Sequence, residues 1–244
     1  MDSDGGPARA FYALTPGGWR DYWTLLHPPY TAWHLSYVAL GAAIAPHFRM
    51  RWLLESLLAF LLAMGVAAHA LDELRGRPLG TRIPSGVLVG LAVTGLAGAV
   101  ALGLDGVVSS TGWLAVCIPI GAFLVIAYNL EPFGGVFHSD LWFALAWGGF
   151  PVVTAYLAQA GTLRPPAVLL AAACVGLSAA QRTLSTPVRR LRRDVADVRG
   201  TLVFRDGTQE ELTDAALRAA PERALKLLSL TVPLLAVAAV LTRI

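Results

Sequence analysis

The chain has 244 residues, of which 56% are hydrophobic and 14% charged, with a net charge of +3. Soluble domains carry about 25% charged residues, so this composition, with a mean hydropathy of +0.60, excludes an ordinary soluble domain. It predicts an integral membrane protein with one membrane domain, in which the placement of charge says more than its total.

The opening MDSDGGPARA is polar and lacks the basic and apolar regions of a cleaved signal peptide, so the first span is expected to stay in the protein. Residues 1–26 read as an interfacial segment, because Trp19, Tyr22 and Trp23 stand beside Arg20 and Asp21 and amphipathic rings favour the headgroup level. His27-Pro28-Pro29 marks a helix start, since proline is tolerated in a first turn. Apolar runs of about 17–20 residues, the length a bilayer core needs, then predict seven spans. They lie near 30–46, 52–71, 86–104, 112–130, 141–160, 165–181 and 225–242. The third is rich in glycine (Gly86, Gly90, Gly95, Gly98, Gly103), which predicts close helix packing. Trp33, Trp52, Trp113 and Trp142 fall near span ends, as an aromatic belt would. Cys117 and Cys174 sit inside apolar runs without C-x-x-C spacing and read as small core residues.

One sizeable polar segment, 182–224, separates the last two predicted spans. It begins with Arg182, Arg189, Arg190, Arg192 and Arg193, continues through a β-hairpin pattern around Asp206-Gly207, and then shows a helix start at Thr213-Asp214. The predicted organisation is an interfacial segment 1–26, a six-helix membrane domain 27–184, a cytoplasmic loop 185–224 and a last span 225–244. The fold class is all-α, a polytopic membrane bundle. Most lysines and arginines fall on the side of the amino terminus and the even-numbered loops, which the positive-inside rule places in the cytoplasm.

That orientation gathers chemistry at one face. His27 and His34 lie near the start of span one, His69, Asp72 and Glu73 at the end of span two, Glu131 after span four, and His138 and Asp140 before span five. In a helix His69, Asp72 and Glu73 share a face. Ionisable groups at such a place are costly unless paired, hydrated or ligated. Imidazole and carboxylate together suit iron, manganese, zinc or copper, and an all-oxygen set suits magnesium. The candidate ligands are His34, His69, Asp72, Glu73, Glu131, His138 and Asp140. Arg75, Arg77 and Arg82 follow the first cluster, and guanidinium forks match phosphate oxygens. For the arginines of 189–193, membrane topology and attraction to anionic lipid are explanation enough.

Several stretches resemble the intramembrane prenyltransferase (UbiA-type) superfamily. His27-Pro28-Pro29 through Leu40-Gly41 looks like that family's opening span. Residues 69–85 sit where it places its first aspartate-rich motif and a basic R-P stretch, and Tyr128-Asn-Leu-Glu-Pro132 looks like its Y-x-x-P-P segment. The likeness covers roughly residues 27–185 and implies a UbiA-like bundle with magnesium-dependent prenyl transfer. The departures are His69 and the adjacent Asp72-Glu73 pair in the first motif, Gln181-Arg-Thr-Leu-Ser-Thr-Pro where a second motif belongs, and seven spans where nine are usual.

Three functions stay open at this level. In the first, a prenyltransferase, Asp72, Glu73 and Asp140 are catalytic and hold magnesium, while Arg75, Arg77, Arg82, Tyr128 and Trp33 bind substrate. In the second, a transition metal on His69, Glu73, His138 and Asp140, joined by His34, oxidises or otherwise modifies a lipid. In the third, a non-enzymatic lipid-binding protein, the polar groups pair with each other. The expected partner is a membrane lipid or isoprenoid and not nucleic acid.

Overall fold

The computed structural model describes residues 10–244. Residues 1–9, where the interfacial segment is expected to begin, lie outside the described residues. A short helix α1 (Trp19–Leu25) precedes α2 (Pro28–Ala43), α3 (Met50–Leu74), α4 (Ser85–Ser109), α5 (Leu114–Leu130), α6 (Asp140–Ala160) and α7 (Pro165–Arg193). A hairpin of β1 (Thr201–Val203) and β2 (Gln209–Glu211) leads into α8 (Asp214–Leu241). Among the described residues, the regular structure is helical apart from that hairpin. Among the same described residues, five helices (α3, α4, α6, α7 and α8) are long and apolar enough to cross a membrane. In α4 only 17% of the apolar window is buried inside the protein. A helix that apolar and that uncovered needs lipid around it.

Local sequence explains the helix ends. Helix α5 stops where Glu131 turns left-handed ahead of Pro132, and α6 starts from Ser139, whose side chain accepts from the Trp142 amide at 3.3 Å. Gly161, at φ 67°, ends α6. Two helices carry π-helical stretches, Leu61–Ala68 in α3 and Leu145–Gly149 in α6. The second leads directly to Pro151, which has no N–H for an i−4 bond.

The chain divides into two compact units. The larger comprises Tyr12–Ala179 and Ser229–Ile244. Here α2 lies close against α6: a Cβ on Gly41 would meet the Val152 carbonyl oxygen at 2.5 Å. The glycine face of α4 is used in part. A Cβ on Gly95 would strike Leu62 O at 2.7 Å, whereas Gly86 and Gly90 have open space around them. A core of Met64, Ala67, Leu124, Val125, Tyr128 and Trp147 joins α3, α5 and α6. Trp33 belongs inside too. It is fully buried and donates through Nε1 to the Tyr37 hydroxyl, which corrects its placement in an aromatic belt or against a substrate.

The second unit comprises Ala180–Leu228 with the described residues up to Phe11. The hairpin forms around Asp206-Gly207, with Leu202 opposite Glu210. Asp206 Oδ1 accepts from both the amide and the hydroxyl of Thr208, which holds its carboxyl below the usual range. Thr213 caps α8 by accepting from the Ala216 amide at 3.1 Å. Residues 182–193, expected in the polar connection, are helical instead and continue α7, while the helix expected from Thr213-Asp214 forms and runs on into the last predicted span. At 29 and 28 residues, α7 and α8 are about 43 and 42 Å long at 1.5 Å per residue, against a bilayer core of about 30 Å. Arginine is a good helix former. The polar ends are tied by Glu222, which accepts from Arg192 at 2.7 Å and Arg218 at 3.0 Å.

Candidate functional site

Within the larger unit, the start of α2, the end of α3, the start of α4, the end of α5 and the start of α6 fall at the same end of the alternating helices. The backbone there is unusual. Among the described residues, four that are not glycine have positive φ: His27 (46°), Arg77 (54°), Glu131 (48°) and Phe133 (59°). All four lie in connections at this end. Left-handed backbone at such residues costs of order 1–2 kcal/mol each, and such outliers concentrate at functional sites.

Glu73 organises the first connection. It has no exposed surface, and its two carboxylate oxygens accept from the Leu79 amide (2.9 Å), the Thr81 amide (2.9 Å) and the Thr81 hydroxyl (2.7 Å). Thus the residue expected as a ligand and catalytic group instead folds residues 75–84 around itself, and it does not pair with His69. Arg77 reinforces the loop by donating to Ile83 O (2.6 Å) and Ser85 Oγ (2.8 Å). The Arg82 amide donates to Asp21 Oδ2 at 3.1 Å, while its side chain is exposed.

A second group joins two connections. Arg75 donates to Leu130 O at 2.7 Å and pairs with Glu131 at 2.9 Å. The other Glu131 oxygen lies 3.3 Å from His138 Nδ1, which also meets Tyr128 O at 3.0 Å. The His138 ring stacks on Tyr128 with centroids 4.5 Å apart. Four expected site residues, Arg75, Glu131, His138 and Tyr128, are therefore joined in one chain of contacts. Asp72, in the last turn of α3, and Asp140, the first residue of α6, stand on neighbouring elements at this same end.

The histidines have a shared role. His34 Nδ1 lies 3.0 Å from Trp147 O, and His69 Nδ1 lies 3.0 Å from Gly65 O. A carbonyl oxygen can only accept, so each Nδ1 carries a proton, as does that of His138. Both carbonyls belong to π-helical stretches. For Trp147 the cause is direct: residue 151, whose N–H would serve it in an α-helix, is proline. The His69 ring also lies against that of His27, with centroids 4.4 Å apart.

Below the polar rim lies an apolar cavity of about 100 Å³ lined by Met64, Leu96, Gly121, Val125, Trp147 and Phe150, among others. A second, of about 60 Å³, shares Phe60, Leu114 and Thr154 with it. Tyr128 touches Trp147 edge-on at 5.8 Å, so one aromatic pair links cavity and rim.

Among the described residues, no group of three or more His, Cys, Asp or Glu is gathered to hold a metal ion. The set His69, Glu73, His138 and Asp140 thus does not form one cradle, and both Glu73 oxygens are engaged by the loop. Sequence reasoning also missed Asp21. This side chain is 3% exposed and ties α1 to the loop through the Gly17 (3.0 Å) and Arg82 amides. Its one signal was an acid among interfacial aromatics with no basic residue three or four positions on. Comparison with known protein families, with curated proteins and with solved structures finds no match to this chain.

Proposed function

We propose that the protein is an intramembrane enzyme of UbiA-like layout that transfers the prenyl group of an isoprenoid diphosphate to a lipid or small acceptor. The supporting observation is the union of a basic and acidic rim with an apolar cavity through Tyr128 and Trp147. An isoprenoid diphosphate has that same division, an anionic head on an apolar chain. In this reading α2 and α5, at 16 and 17 residues, complete seven spans, and the rim and amino terminus face the cytoplasm.

Magnesium would supply charge neutralisation for the leaving diphosphate in such a reaction. The Asp72–Glu73 pair does not fit that task, because Glu73 is closed off by Leu79 and Thr81. The residues left to meet a diphosphate are Arg75 and Arg82. Arginine donors aimed at developing negative charge stabilise a leaving group, and Trp147 and Phe150 keep water from the allylic carbon.

A second reading has its own support. His34, His69 and His138 each have Nδ1 fixed on a backbone carbonyl, the arrangement that orients Nε2 in metal-binding histidines. On that reading the protein is a transition-metal enzyme that modifies a lipid.

Two measurements on purified protein in nanodiscs separate these. Diphosphate release from a prenyl diphosphate that persists in His69→Ala supports transfer. Stoichiometric iron, manganese, zinc or copper, lost in His69→Ala or His138→Ala, overturns it in favour of the second reading. Lipid binding with neither property leaves a non-enzymatic lipid-binding protein.

A further inference from the structure

The connection 131–139 is built under tension. Glu131, Phe133, Gly134 and Gly135 all have positive φ, at 48°, 59°, 70° and 77°. Two of them carry side chains that disfavour that region. The loop also bears apolar residues outward: Phe133 is 73% exposed and Val136 63%. A polar cluster holds this turn back on α5, beside the packing of the Phe137 ring against Phe123 at 5.0 Å. Glu131 divides its oxygens between Arg75 and His138, and His138 returns to Tyr128 O. Arg75 side-chain exposure is 49% and that of Glu131 27%, so a solute anion can reach the pair. Only some of the five guanidinium N–H donors of Arg75 are used, on Leu130 O and Glu131.

From this we infer that Glu131 is a resident occupant of an anion site on Arg75, and that the 131–139 loop is latched by that carboxylate. A phosphate-class anion takes Arg75, and Glu131 leaves it. The strained turn loses one of the contacts that offset its backbone cost, and the loop loosens. The inference rests on the proposed reading for the identity of the anion as a diphosphate head. The exchange itself requires only a phosphate-class group, free or on a lipid.

The test uses the full chain in nanodiscs and inorganic diphosphate as the probe. Glu131→Asn removes the carboxylate but keeps a residue that tolerates left-handed backbone. An exposed ion pair contributes little, so this variant should bind diphosphate about three- to fivefold more tightly than the wild type. Arg75→Gln should lose the binding. Hydrogen exchange gives a second readout, independent of any variant's folding. An ordinary anion site slows exchange where it binds, whereas the latch requires amide exchange in 131–139 of the wild type to speed up when diphosphate is added. Unchanged affinity in a folded Glu131→Asn, or slowed exchange in 131–139, overturns the inference. Nanodiscs containing phosphatidic acid, compared with neutral ones, tell a lipid head from a free anion: faster loop exchange without added diphosphate identifies the lipid. Diphosphate that opens the loop without any prenyl transfer retains the latch and removes the transferase reading alone.

Discussion

Both ends of the larger unit carry an arginine paired with acid, and they are not alike. At one end Arg51 pairs with Glu55 at 2.6 Å and Asp105 at 2.9 Å, from regular helix, with side-chain exposures of 64%, 24% and 53%. At the other, Arg75 meets Glu131 beside His138, among four left-handed residues and next to a fully buried Glu73. The first network sits in solvent or headgroups, where ion pairs contribute little. The second is assembled from connections whose backbone would relax without it. Similar residue types thus mark an ordinary helix surface at one end and a constructed site at the other.

Substitutions can break that contrast, beginning with the largest expected effect. Glu73→Ala strands the buried amide and hydroxyl of Thr81 and the half-buried amide of Leu79, and each unsatisfied buried group costs about 1–3 kcal/mol. Thermal unfolding in detergent should show a loss of about 3 kcal/mol or more, with residues 75–84 becoming sensitive to protease. A loss comparable to that of a surface variant would mean that Glu73 does not organise the loop.

His34→Phe comes next. It leaves Trp147 O without its imidazole donor and should cost about 1–3 kcal/mol. Pro151→Ala restores an N–H at the position four residues on, so the double variant should recover part of that loss. Simple additivity of the two changes would contradict the role given to His34.

Phe133→Gly should act in the opposite direction. It removes an exposed ring and a strained φ, and should raise stability by about 1 kcal/mol, read as a higher denaturant midpoint. A fall would show that the ring is packed in a way its exposure conceals. Smallest of all, Arg51→Ala should leave the unfolding midpoint and any activity within error of the wild type. A marked change would place function at the opposite end.

Much of the architecture could be read from periodicity and length. The helical elements, the Asp206-Gly207 hairpin and the Thr213 cap all follow from local rules that act within a few residues. The reach of α7 beyond its apolar run, and the continuity of α8 from its cap into the last span, were not legible, because hydropathy marks where lipid ends and not where a helix ends. Arg192 and Glu222, thirty residues apart, continue it through a contact that no local window contains.

The candidate site was legible as a set of residues and not as a set of roles. Sequence placed Arg75, Glu131, His138 and Tyr128 at one end, and the structure brings those four together. It could not separate Glu73 from His69, since helical spacing makes them neighbours while side-chain direction depends on a loop eight residues away. Nor could it assign His34, whose partner is a main-chain oxygen freed by a proline on another helix.

The central claim is that the Arg75 end, with its cavity, takes an isoprenoid diphosphate. Photolabelling addresses it directly: a prenyl diphosphate with a photoreactive chain, irradiated with the protein in nanodiscs, followed by mapping of the adducts. The account predicts adducts on the cavity wall at Met64, Val125, Trp147 or Phe150, suppressed by excess unlabelled diphosphate ester and by Arg75→Gln but not by Arg51→Ala. Adducts that cluster around Arg51, Glu55 and Asp105, or that ignore both competitor and Arg75, would contradict it.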